Sequence, residues 1–405
     1  MYITLFKNNQ SLVYYLGSTA ISNVGNVMTG LAFLFLAFEL TESSMHVTGV
    51  AMSQVLPYLL FGLVGGVIAD WIPKRKWMIA MDLLRVPLLL VLVMLHYMEM
   101  LAYGHLIVVS FTNHVFGCFF NPAHRSLLPL ITSDVERTAA NSLVDTVTRG
   151  MTVLGPILSV FLMNTIGVIH FFTLDALTFL GSALLLAKIK LKEEKGKPIS
   201  EMKRTAIVLS LKEFAVWLIG HGTMRRLFVV TGAIVFLNTW VWQVGLLLIL
   251  NETMTNGKAL YSFLLSWYGA IVIVVNLVIP YFIRIFTMNI YLISSFIWGI
   301  GIVLIGFAQV MPVYFLGVFI AALGLPLSGL ARVYLLQKHV PTEKLARGFS
   351  FNAVLLYLAN LVSLGFFGLL SKFVSTYILF LFCGGMMVLV SILFIRRVVQ
   401  AERSV

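Results

Sequence analysis

Asp175 stands in FFTLDALTFL with apolar neighbours on both sides, a setting that gives its carboxyl no charged partner in its own segment. Desolvation disfavours the charged carboxylate, so such a group suits either the carrying of a proton or a structural hydrogen bond to a neighbouring helix. Asp145 and Arg149 are four residues apart, which on a helix puts them on one face within pairing distance. They fit a solvated pair near a helix end, or a pair with a coupling or gating role. His114, in SFTNHVFG, belongs to the residue type that titrates near neutrality, although a lone histidine also serves as a packed, hydrogen-bonded side chain. The densest charge lies in GGVIADWIPKRKWMIAMDLLR, residues 65 to 85, with Gly66, Asp70, Lys74, Arg75, Lys76, Asp82 and Arg85. Glycine permits close helix approach, and a carboxylate beside cations can pair with charged groups and helix ends. Asn23, Asn26, Asn113, Asn238, Trp240, Trp242 and Gln243 combine polar groups with aromatic walls, as an amphipathic cavity requires. Trp240 and Trp242 equally suit anchoring at headgroup depth.

These groups matter because of the elements that must hold them. Of 405 residues, 60% are hydrophobic and 11% charged, and the mean hydropathy is +0.98. Soluble domains run at about 45–50% apolar and about 25% charged, so the composition is that of a membrane protein. A span needs roughly 20 apolar residues. Apolar runs predict twelve helices, over 11–38, 45–69, 77–98, 102–122, 139–163, 166–188, 224–250, 258–284, 288–309, 312–337, 346–371 and 374–395. The fold class expected is an all-α integral membrane protein of two pseudo-symmetric six-helix bundles. Residues 1–187 form the first bundle and 224–405 the second, with a cytoplasmic linker over 188–223 between them. After the polar stretch 188–205, residues 209–228 mix charge and apolarity too closely to span, and predict an interfacial helix before the seventh span.

With a cytoplasmic N-terminus, every Lys and Arg except Lys258 and Lys372 falls on the inner side, which also puts the C-terminus inside. Glu39, Glu42, Glu99 and Glu252 fall outside. The net charge of +12 therefore orients helices, and no basic stripe with interleaved aromatics points to nucleic acid. Cys118 and Cys383 lie inside apolar runs and read as packing residues. The first apolar run is longer than a signal peptide's and is expected to remain in the mature chain. No metal-spaced His/Cys/Glu set, phosphate-binding glycine loop or nucleophile with a base is evident, so an enzyme is disfavoured, and the relation between the two halves of the chain disfavours a pure scaffold.

At an offset of 207 residues, Gly117 pairs with Gly324, Arg125 with Arg332, Glu136 with Glu343, and Ile72-Pro73 with Ile279-Pro280, which suggests a duplicated six-helix unit. The loop after the second run resembles the signature loop of the major facilitator superfamily, with Gly66, Asp70, Lys74, Arg75 and Lys76 supplying its parts. Gly155-Pro156 in RGMTVLGPILSV is similar to the Gly-Pro element of that superfamily's antiporters, a flexible seam in helix 5. Residues 119–143, 171–186 and 324–350 resemble the macrolide-efflux and enterobactin-exporter branch.

That resemblance implies alternating access about a midplane site. It makes residues 66–76, with Asp82 and Arg85, a cytoplasmic gate. It also implies proton-coupled efflux of a small amphipathic molecule, such as a drug, antibiotic or siderophore. No cofactor is implied beyond the proton gradient. A monomer in the lipid bilayer of a bacterial plasma membrane is expected. A lipid flippase or an importer of the same fold is the alternative. Two departures bear on coupling: Asn113 stands where many relatives carry a helix 4 arginine, and Asn26 where they often carry aspartate. Asp175, Asp145 with Arg149, and His114 are then the coupling candidates.

Overall fold

The computed structural model describes residues 2–191, 204–254 and 257–403. Twelve long helices run through it: α1 Gln10–Thr41, α2 Ser44–Trp71, α3 Lys74–Tyr97, α4 Tyr103–Ile131, α5 Asp134–Ile166, α6 His170–Ala187, α7 Gly222–Thr253, α8 Gly257–Phe282, α9 Met288–Phe307, α10 Met311–His339, α11 Leu345–Leu370 and α12 Thr376–Arg403. A short helix, Tyr2–Asn8, precedes α1, and another, Arg204–Gly220, precedes α7. Eleven of the twelve are long and apolar enough to cross a membrane, and α5 supplies the remaining predicted span. A bilayer leaves backbone groups no water to bond, so helices that satisfy their own amides are the natural solution. Large apolar side chains such as Leu60, Val108, Leu184 and Leu361 are correspondingly exposed.

Local chemistry sets the ends. Asn9 accepts the Leu12 N–H at 3.0 Å at the start of α1. Glu136 accepts from both the backbone N–H (2.9 Å) and the hydroxyl (3.0 Å) of Ser133 at the start of α5. Gly167, at φ +82°, ends α5 in a conformation that glycine adopts without strain.

The chain forms two compact units: Met1–Ala215 with Val340–Val354, and Val216–His339 with Leu355–Val405. The division falls inside the Arg204–Gly220 helix, and the first turns of α11 belong with the first unit. Residues 192–203 of the predicted linker lie outside the described residues. In the first unit α1 and α3 pack on α6, and α2 on α4, around a core that includes Phe33, Leu89, Phe171 and Phe179. In the second, α9 packs against α10 and α12. Small residues make this possible: a Cβ on Gly324 would lie 2.6 Å from the Trp298 backbone nitrogen, and one on Gly299 would lie 3.0 Å from the Gly384 carbonyl. Helix α7 carries a single π turn, Val241–Gly245.

Candidate functional site

Asp70 ends α2 on the first unit and clasps the start of α11. Its Oδ1 accepts the Ala346 N–H at 2.7 Å, and its Oδ2 accepts the Arg347 backbone N–H at 3.2 Å and side-chain Nε–H at 2.8 Å. The first N–H groups of a helix have no internal partner and carry partial positive charge, so a carboxylate is the group that fits there. Arg347 is held in turn: Nη1 donates to the Ser210 carbonyl at 2.9 Å and Nη2 to the Glu343 carbonyl at 2.8 Å. One turn before Asp70, Gly66 admits α11, because a Cβ there would lie 2.5 Å from Ser350 Oγ and 2.9 Å from the Ala346 carbonyl. Of the basic residues after the turn, Lys74 is buried, Arg75 donates to the Ile189 carbonyl at 2.6 Å, and Lys76 is exposed.

A second cluster lies deeper in the same unit. Asp82 and Asp175 are 0% exposed and Arg85 4%. On α6, Asp175, Phe179 and Ser182 follow the i, i+4, i+7 spacing of one stripe. The Ser182 hydroxyl donates to Asp82 Oδ2 at 2.6 Å, and the Thr178 hydroxyl to Asp175 Oδ1 at 2.9 Å. The Arg85 guanidinium lies 4.8 Å from the centroid of Phe179 and 5.5 Å from that of Phe120. Its Nη1 is 3.9 Å from Asp82 Oδ1, and it interacts electrostatically with Asp175 and His114 as well. Glycines make the room. A Cβ on Gly117 of α4 would sit 3.0 Å from Arg85 Nη2, and one on Gly25 of α1 would collide with the Asp175 carboxylate.

The residues 65–85 segment thus serves two places. The sequence groups Asp82 and Arg85 with Asp70, whereas the structure brings them to Asp175. The reason is helical rise: α3 carries Asp82 eight residues, about 12 Å, beyond Lys74.

The π turn of α7 brings a third set of residues together in the second unit. Thr239 Oγ1 donates to Asn360 Oδ1 at 2.6 Å, and the Trp240 backbone N–H to Ser363 Oγ at 3.1 Å, tying the turn to α11. Trp242 stacks on Tyr268 with centroids 4.5 Å apart. Among the described residues, Asn238 Oδ1 and Trp242 Nε1 have no hydrogen-bond partner, and Gln243 is exposed.

Residues 9–402 match the family described as transmembrane secretion effector. The chain belongs to this family of major facilitator transporters. Among curated relatives, the uncharacterized MFS-type transporter YfiS of Bacillus subtilis is 27% identical over 210 residues, 52% of this chain and 49% of YfiS. Macrolide efflux protein A of Streptococcus pyogenes is 27% identical over 133 residues, 32% of this chain and 33% of its own length. The chain therefore spans about half the length, or less, of the curated relatives it matches. Two solved structures share the fold. The Escherichia coli fucose:proton symporter FucP has a TM-score of 0.74 at 13% identity, covering 94% of this chain and 97% of FucP. The human organic anion transporter MFSD10 has a TM-score of 0.72 at 11% identity, with 95% and 98% covered. The chain accordingly has the multi-pass helical build of a membrane protein, and the family is one of transporters, not enzymes.

The remaining predicted residues of this facilitator are placed as follows. Asp145 and Arg149 form a pair at 2.7 Å, 26% and 34% exposed. His114 Nδ1 donates to the Ser110 carbonyl at 2.8 Å. Asn113 is buried one turn from Gly117, and its Oδ1 lacks a partner among the described residues. The Asn23 amide donates to the Thr19 carbonyl of its own helix at 2.7 Å, and Asn26 is exposed. Gly155 meets Val27 of α1 closely, while the side chain of Pro156 lies outside the described residues. Trp240 is 0% exposed and packed on Phe367, Phe380 and Gly245, and among the described residues its Nε1 has no hydrogen-bond partner. Arg347 is the functional residue that sequence reasoning misses. Its one signal is a basic residue just inside a helix start, within the segment that pairs by offset with the start of α5.

Proposed function

We propose that this transporter exports a small amphipathic molecule in exchange for protons, by alternating access, across a bacterial plasma membrane. The observation that carries the reading is the Asp70 clasp on the first turn of α11, which joins the end of α2 to a helix 276 residues later in the chain. A clasp made of one carboxylate, two backbone donors and one guanidinium is strong when dry and is lost as a unit when the helices part, as a gate requires. Similarity to macrolide efflux protein A supports a macrolide-like substrate. The aromatic and unpartnered polar groups around the π turn of α7, Trp242, Tyr268 and Asn238, suit such a molecule. The protein works as a monomer without a cofactor, with both termini cytoplasmic, driven by the proton gradient.

The test is accumulation of a radiolabelled macrolide in cells overexpressing the protein, with and without a protonophore. The reading expects low accumulation that rises to the level of non-expressing cells when the gradient is collapsed. Equal accumulation in expressing and non-expressing cells contradicts it.

A further inference from the structure

We propose that Asp82, Arg85 and Asp175 form one proton-binding centre, which holds a single proton shared by the two carboxyls, with Arg85 as their common counter-ion. The proposal rests on the proton-exchange reading for its place in the cycle, and on charge and geometry for its existence.

The charge count comes first. Two carboxylates and one guanidinium, each less than 5% exposed, carry one net negative charge when all are ionised. A buried, uncompensated charge is costly, and one proton removes it. The elements packed around the centre bring titratable groups but no second cation beside it. Helix α4 brings His114, which interacts with Arg85 and is tied through Nδ1 to its own helix. Farther along α4, Cys118 is buried, and His124 is bonded to Tyr15 of α1 and to Thr19, with Arg125 interacting with Tyr15 and His124. Helix α1 holds no Asp, Glu, Lys or Arg before Glu39, and α6 holds none besides Asp175. Helix α3 adds Lys74, Arg75 and Lys76 only at its start.

Hydrogen bonding shows where the proton goes. Each carboxylate has one oxygen held by a hydroxyl, Asp82 Oδ2 by Ser182 and Asp175 Oδ1 by Thr178. Among the described residues, Asp82 Oδ1 and Arg85 Nε have no hydrogen-bond partner, and the second oxygen of Asp175 is held by no well-formed bond, although the Thr29 hydroxyl interacts with this carboxylate. A hydronium ion transfers its proton to one of these oxygens: its O–H bond breaks and leaves water, a carboxyl O–H bond forms, and the centre goes from one negative charge to none. The guanidinium, held by the faces of Phe179 and Phe120 and only loosely by Asp82 at 3.9 Å, can turn to whichever carboxyl remains ionised.

The test reads the protein itself. Infrared difference spectra of the purified full chain in liposomes, recorded only at pH values above the ordinary carboxylate range so that exposed carboxyls stay ionised, report the carbonyl stretch of a protonated buried carboxyl. The wild type should show a band of one-carboxyl amplitude. Asp82→Asn and Asp175→Asn should each abolish it, because Arg85 then balances the carboxylate left behind, while Asp145→Asn should leave it unchanged. Arg85→Gln should double it. A band at full amplitude in either single aspartate variant, or none in the wild type, overturns the proposal. Thermal melting establishes that each variant is folded. If an aspartate variant does not fold, Arg85→Gln decides: a doubled band supports the centre and an unchanged one overturns it. The predicted band pattern in a protein that does not accumulate macrolide under a pH step supports the centre and contradicts the proton-exchange reading alone.

Discussion

The Nε–H of Arg347 donates to Asp70 Oδ2 at 2.8 Å, with the aspartate side chain fully buried and the arginine 6% exposed. A buried pair of this kind is strongly destabilised by removing one partner, by about 3–5 kcal/mol, because the other charge is left unpaired. Asp70→Asn keeps the shape and sets an amide against the guanidinium. Macrolide export should fall by about tenfold or more, the equivalent of roughly 1.4 kcal/mol or more, while membrane insertion is unchanged. Export by a well-expressed variant at the wild-type rate would mean that the clasp is not a gate.

Trp240 offers a test of packing against binding. Buried between Phe367 and Phe380, it should behave as a core residue, so Trp240→Ala should cost about 3–5 kcal/mol, seen as a lower melting temperature in detergent. A variant with unchanged melting and weakened substrate binding would return Trp240 to the cavity.

Gly25 should tolerate no side chain. Because a Cβ there meets the Asp175 carboxylate and the Thr178 hydroxyl, Gly25→Ala should destabilise the protein by about 1–3 kcal/mol. Gly30, five residues along the same helix, has open space around its Cα, and Gly30→Ala should be neutral or slightly stabilising by melting temperature.

Orientation can be read with cysteine labels, because Cys118 and Cys383 are both buried and give little background. Lys76→Cys and Glu99→Cys occupy exposed positions at opposite ends of α3. An impermeant reagent added to intact cells should label the second and not the first. The reverse pattern would invert the proposed topology.

The helices were largely legible because apolar runs of membrane length have few alternatives, and α9, expected over 288–309, is Met288–Phe307. The errors fall where polar residues are satisfied inside the protein. The fourth apolar run ends at 122, yet α4 continues to Ile131. His124, which looks like the start of a loop, is buried, with both ring nitrogens in hydrogen-bond contact with Tyr15 and Thr19. The site was legible as a set of residue types but not as pairings. Asp70 was marked by its loop, while Arg347 joins it only through the tertiary fold. Asp82 and Arg85 look like gate residues in the linear chain, and only the packing of α3 on α6 brings them to Asp175 and Ser182. The π turn in α7 has no local signal, since VWQVG is unremarkable helix sequence, and contacts with α11 stabilise it.

Proton-driven transport by the purified protein is the measurement closest to the central claim. Wild-type protein in proteoliposomes should concentrate a radiolabelled macrolide against its gradient after a pH step. Asp175→Asn should lose that accumulation while still exchanging macrolide downhill, since the amide keeps the shape and cannot titrate. Accumulation by Asp175→Asn equal to that of the wild type would contradict the account.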